Sequence, residues 1–121
     1  MPSYDAVDFD PPAPVARARF TSSTLTAADV PMLLDTGADV SVVPRSIAEQ
    51  IDAASRPSGI RLQMYDGAHV EVDVADLTLQ FGTYRFRGAF TVAEAEHGVL
   101  GRNILNLLVL TLDGPGLHWT G

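Results

Sequence analysis

The chain has no cysteine among its 121 residues. That excludes a disulfide framework, a thiolate nucleophile and thiolate metal sites, and leaves the redox compartment open. Basic residues are few, eight Lys and Arg against fifteen Asp and Glu, for a formal charge of −7. Such a surface repels phosphate backbones and anionic lipid, so neither nucleic acid nor a membrane is expected as a partner. No apolar run approaches the roughly 20 residues that span a bilayer. The N-terminal segment also lacks the basic start, apolar centre and small-residue cleavage site of a secretory signal. A soluble, cytoplasmic protein is the expectation. The histidines, His69, His97 and His118, fall in no ligand spacing, so no metal site, cofactor or His-based triad is expected.

What is present is enough for one domain with a proper core, the hydrophobic share being 46%. Residues 1–14, MPSYDAVDFDPPAP, are poor in core residues. Pro11, Pro12 and Pro14 fix φ and withhold amide donors, which predicts an extended or disordered arm ahead of a single domain over residues 15–121. Residues 15–21, VARARFT, alternate with the period of a half-exposed strand. After a polar loop over residues 22–29, a second apolar run over 30–34 ends at Asp35, so a hairpin delivers that carboxylate to a strand end. DVSVVP follows as a short β-branched strand. Pro44 then leads into RSIAEQI, where Ser46 with Glu49 predicts a capped helix of about two turns, Ile47, Ala48 and Ile51 share its buried face, and RPSG ends it.

Two hairpins come next. IRLQM and HVEVDV flank YDGA, whose Asp66-Gly67 is a turn signal because Gly accepts positive φ. LTLQF and YRFRGAFTV flank Gly82-Thr83, with Tyr84, Phe86, Phe90 and Val92 on one core face by parity. The last third predicts a short helix capped by Asn103 with Ile104, Leu105, Leu107 and Leu108 buried, and then a strand, VLTL, broken by Gly114, Pro115 and Gly116. The pattern is all-β with one or two short helices.

The stretch that carries chemistry is residues 33–44, LLDTGADVSVVP. Taken alone, Asp-Thr-Gly reads first as the chemistry of a turn, Asp bonding nearby amides and Gly supplying positive φ. Its setting is more specific, with an apolar strand before it, Ala38 and Asp39 after it, and VLGRNIL far downstream opening a helix. These two motifs, in this order with a hairpin between, resemble the retropepsins, the single-lobed aspartic proteases of retroviral type, across roughly residues 15–112.

The resemblance implies a closed β-barrel or sandwich with a flap hairpin, active as a homodimer on an extended polypeptide. Asp35, Thr36 and Gly37 would be catalytic, Asp35 meeting its mate across a two-fold axis and Thr36 bracing the pair. Gly37, Ala38 and Asp39 would meet substrate, as would Tyr65, Asp66 and Gly67 at the flap. Asp39 and Arg102 would pair in support of the site. Blander readings stand beside these: two solvated charges, an ordinary surface hairpin, a half-buried Tyr65. A catalytically silent peptide-binding module of the same fold is the rival function. The chain departs from the family at the flap tip, where it has Asp66 and a single Gly67, and at its C-terminal segment, TLDGPGLHWTG. There LHWT either forms a separate dimer strand or the dimer is built differently. Trp119 suits an interface, with capping of the monomer core as its alternative.

Overall fold

The structure is a computed structural model that describes residues 2–23, 26–63 and 66–121. Its strands follow the alternation of the sequence. In chain order they are β1 (Tyr4–Asp5), β2 (Ala13–Thr21), β3 (Thr26–Leu34), β4 (Val42–Pro44), β5 (Ser55–Gln63), β6 (His69–Phe81), β7 (Tyr84–Ala93), β8 (Gly98–Leu100), β9 (Thr111–Asp113) and β10 (His118–Thr120). Two short helices interrupt them, α1 (Arg45–Gln50) and α2 (Arg102–Leu105). The main sheet runs β1-β2-β3-β8-β4-β7-β6-β5, and β6 returns to pair with β2. That last pairing closes six strands, β2, β3, β8, β4, β7 and β6, into a barrel, which removes their free edges. Phe20, Met32, Val43, Ile51, Leu79, Val92 and Leu100 fill its interior with essentially no exposure.

Several boundaries differ from the sequence reading, each for a local reason. β3 begins at Thr26 rather than after a polar loop, because Ala27 is buried opposite Phe20. The extra residue is absorbed where the register shifts between Ala18 and Phe20, with Asp29 at φ 58°. β5 includes the RPSG segment expected to be a break. It is an edge strand, so the amide missing from Pro57 leaves no ladder bond unmade. Gly59 at φ 74° forms a bulge there, and Ser58 patches it by donating to the Val72 carbonyl at 2.6 Å while accepting from Ile60 N–H at 3.0 Å.

The expected caps are replaced. Pro44 occupies the N-terminal boundary of α1 and Gly101 that of α2, neither with a side-chain cap, so Ser46 and Asn103 do not serve in that role. α1 is anchored instead by Arg45, whose guanidinium lies 2.9 Å from Asp73 and 3.0 Å from Glu94. After α2, Leu107 stands in solvent, against the expectation of a fully apolar face, while Ile104 and Leu105 are buried.

The C-terminal segment folds back on itself. Asp113 Oδ1 accepts from Gly116 N–H at 2.9 Å, turning the chain so that β10 pairs antiparallel with β9, Trp119 opposite Leu112. The other side of β10 takes the beginning of the chain: Tyr4 N–H donates to the Leu117 carbonyl at 2.9 Å and Trp119 N–H to that of Pro2 at 3.1 Å. Trp119 itself is 3% exposed, and its indole N–H donates to the Val15 carbonyl at 2.8 Å. It completes the monomer core, which corrects the interface role expected for it.

Candidate active site

β3 and β8 run parallel, Met32 to Leu34 beside Gly98 to Leu100, and both deliver their chains to the same end of the barrel. There the loop after β3 and the loop before α2 are laced together. Asp35 N–H donates to the Leu100 carbonyl at 3.0 Å, and Arg102 N–H donates to that of Ala38 at 2.8 Å. Within the first loop Ala38 N–H returns to the Asp35 carbonyl at 3.2 Å, and Asp35 Oδ1 accepts from Gly37 N–H at 2.9 Å. Asp35 is half-buried, while Thr36 and Gly37 are exposed. The loop therefore holds a partly exposed carboxylate in a defined orientation, one oxygen engaged by a backbone amide.

Arg102 closes the junction. Its guanidinium donates to the Thr36 carbonyl at 2.7 Å and forms an ion pair with Asp39. The geometry thus brings together Asp35, Thr36, Gly37, Ala38, Asp39 and Arg102. A planar guanidinium with several fixed donors suits this double duty, fastening one loop at two points.

A residue that the sequence reading did not single out, Ser41, completes the lacing. Ser41, 2% exposed, donates through Oγ to Asn103 Oδ1 at 2.8 Å and accepts from Gly101 N–H at 3.0 Å. Gly101 is required by close approach, since a Cβ there would come within 2.4 Å of the Val40 carbonyl oxygen. Ser41 lies 62 positions from Asn103, so no local pattern announces the pair. The signal available was a lone hydroxyl inside the apolar strand DVSVVP, where a buried polar group must find a partner.

Of the remaining expected site residues, Asp66 and Gly67 lie on the β5–β6 hairpin, where Gln63 pairs with His69. At its tip Asp66 accepts from Ala68 N–H at 2.9 Å and Gly67 adopts φ 86°. These bonds are local to the tip. Tyr65 lies outside the described residues. Among those described, no group of three or more His, Asp or Glu side chains is placed to hold a metal ion, and no helix is long and apolar enough to cross a membrane.

The geometry can be set beside known proteins. Residues 22–107 match the family model described as "gag-polyprotein putative aspartyl protease". Among solved structures, the EIAV protease complexed with the inhibitor HBY-793 superposes with a TM-score of 0.66 over 80% of this chain and 92% of that one, at 23% identity. At that identity the likeness speaks for the fold. No curated protein matches the chain.

Proposed function

The chain belongs to the gag-polyprotein aspartyl protease family, and on that premise we propose that it is an aspartic endopeptidase whose reacting pair is Asp35 and the Asp35 of a second copy. The observation that carries this reading is the loop itself. A strand ends in Asp-Thr-Gly, the carboxylate is oriented by Gly37 N–H, and a second segment of the chain is fastened across the loop by Arg102.

Hydrolysis of a peptide by water needs one carboxylate to remove a proton and another to supply one to the carbonyl oxygen. One Asp35 cannot do both at once, and the chain has a single Asp-Thr-Gly. Two copies related by a two-fold axis supply the pair. Carboxylates about 3 Å apart cannot both ionise, so the pair holds one shared proton through the acidic range. The ionised oxygen takes a proton from water as the water attacks the carbonyl carbon, the protonated one gives its proton to the carbonyl oxygen, and the proton taken from water then passes to the amide nitrogen as the C–N bond breaks and the carboxyl re-forms. The titration belongs to the pair as a whole. Thr36 braces the opposing loops. Gly37, Ala38 and Asp39 line the path of an extended polypeptide held through its backbone, and the hairpin bearing Tyr65, Asp66 and Gly67 closes over it. No cofactor takes part.

Asp35→Asn tests the reading. Cleavage of an unfolded protein substrate, scanned from about pH 3 to pH 7, should fall by at least about 10²–10⁴-fold, with circular dichroism and sedimentation unchanged. Undiminished cleavage in the variant would remove Asp35 from the mechanism. A parent protein that cleaves nothing across that range would leave a silent binding module.

A further inference from the structure

Among the described residues, six large hydrophobic side chains stand exposed, and four of them, Leu107, Val109, Leu112 and Leu117, fall within one short stretch. Val109 is 87% exposed. The surrounding segment, residues 103–121, carries one charged side chain, Asp113, and His118 Nε2 sits 3.4 Å from it. A chain of charge −7 repels its own copy over most of its surface. This nearly uncharged segment is where a second copy can approach at least electrostatic cost.

The backbone there is also open on one side. β10 is flanked by β9 and by residues 2–4, whereas β9 has no strand on its outer edge among the described residues. An edge strand of this kind pairs readily with another chain. Its position fits the need for a second carboxylate. Trp119 of β10 bonds to the Val15 carbonyl, and Val15 lies opposite Leu33, two positions before Asp35. The C-terminal hairpin therefore sits at the barrel end from which the Asp35 loop emerges.

We propose that β9 pairs antiparallel with β9 of a second copy about a two-fold axis near Leu112, with Leu107 and Val109 packing around the joint. The N-terminal strand stays within its own chain. The interface rests on the two-carboxylate reading, because it is the assembly that would bring the second Asp35 to the first.

The absence of native cysteine allows a direct test in the full chain. Under mild oxidation Leu112→Cys should give mostly covalent dimer, whereas Ile60→Cys, an exposed hydrophobe on β5, should stay monomeric on a non-reducing gel. In sedimentation, the double variant Val109→Glu/Leu112→Glu should raise the dimer dissociation constant at least about 100-fold by placing like charges across the axis. Ile60→Glu should leave that constant unchanged. Should the double variant lose its fold by circular dichroism, the crosslink decides. A parent chain that is monomeric at every concentration, or Leu112→Cys crosslinking no more than Ile60→Cys, overturns the interface. A crosslinked dimer that cleaves nothing removes the protease reading and leaves the interface standing. Cleavage that persists in a folded, monomeric double variant removes the two-carboxylate reading and leaves the interface standing.

Discussion

Ser41 and Arg102 show how much of this site depends on single side chains far apart in sequence. The Ser41 hydroxyl accepts from Gly101 N–H, in a place where Gly101 and Val40 are too close for a Cβ. Ser41→Ala leaves that buried amide without an acceptor and should cost about 1–3 kcal/mol, read as a lower urea midpoint at unchanged slope. Arg102 was legible from the Gly-Arg-Asn motif, whereas its pairing with Asp39 followed only from the family resemblance and is seen as an ion pair in the structure. Ser41 was not, because motif reading attends to charged and turn-forming residues, while this hydroxyl acts through burial and a distant partner. Asp5 supplies a titratable counterpart. Its carboxylate accepts from the backbone N–H groups of Asp8 and Val7, at 2.9 and 2.8 Å, and those bonds hold its pKa below the usual 3.8. A carboxyl whose pKa is lower folded than unfolded stabilises the fold above the unfolded value and loses that contribution as pH falls through the folded one. The melting-temperature gap between the parent and Asp5→Asn should therefore be constant near neutrality and shrink below about pH 4. A gap that widens in acid would contradict the assignment.

At the level of elements, the hairpins were the most legible features, because Gly67 and Gly82 sit where positive φ is needed, at 86° and 54°. Strand starts and helix caps were less so. Thr26 and Ala27 read as loop by polarity, yet Ala27 is buried against Phe20. Pro57 reads as a breaker, yet an edge strand tolerates it. In each case tertiary pairing overrode local propensity. The β5–β6 tip offers a test that separates stability from function. Gly67→Ala places a Cβ in the left-handed region at a cost of about 1 kcal/mol, but at an exposed tip whose bonds are local. Thermal melting should fall by about 4 °C at most, less where the exposed tip relaxes the strain. If this hairpin is the lid, the Michaelis constant for an extended peptide should rise severalfold and single-turnover cleavage should slow. Unchanged kinetics would make it an ordinary surface hairpin. The β9–β10 hairpin behaves oppositely. Trp119→Ala empties a core position and strips the Val15 carbonyl of its donor, so a loss of about 3–5 kcal/mol is expected, against little for Gly67→Ala.

For the whole molecule, the decisive quantity is charge. The proposed pairing would bring together two copies of a chain with formal charge −7 and sequence pI of about 4.6, against their mutual repulsion at neutral pH. Repulsion between separated surface charges is screened over about 10 Å at 0.1 M salt and about 3 Å at 1 M. On the proposed reading, in which only the assembled pair is active, added salt should lower the concentration at which specific activity is half-maximal on dilution. Lowering pH toward the pI should do the same by protonating carboxylates. In the proposed mechanism it also favours the shared-proton form of the two-carboxylate pair, so two causes raise activity in the same direction. They separate by concentration. Far above the dimer dissociation constant, every chain is paired and the pH profile reports the shared proton alone, as a bell. Near that constant, the profile also follows assembly and shifts with salt. A saturated-dimer profile that moves with salt as strongly as the dilute one, or a dilution midpoint that rises when salt is added, would show that charge repulsion between copies does not govern the assembly.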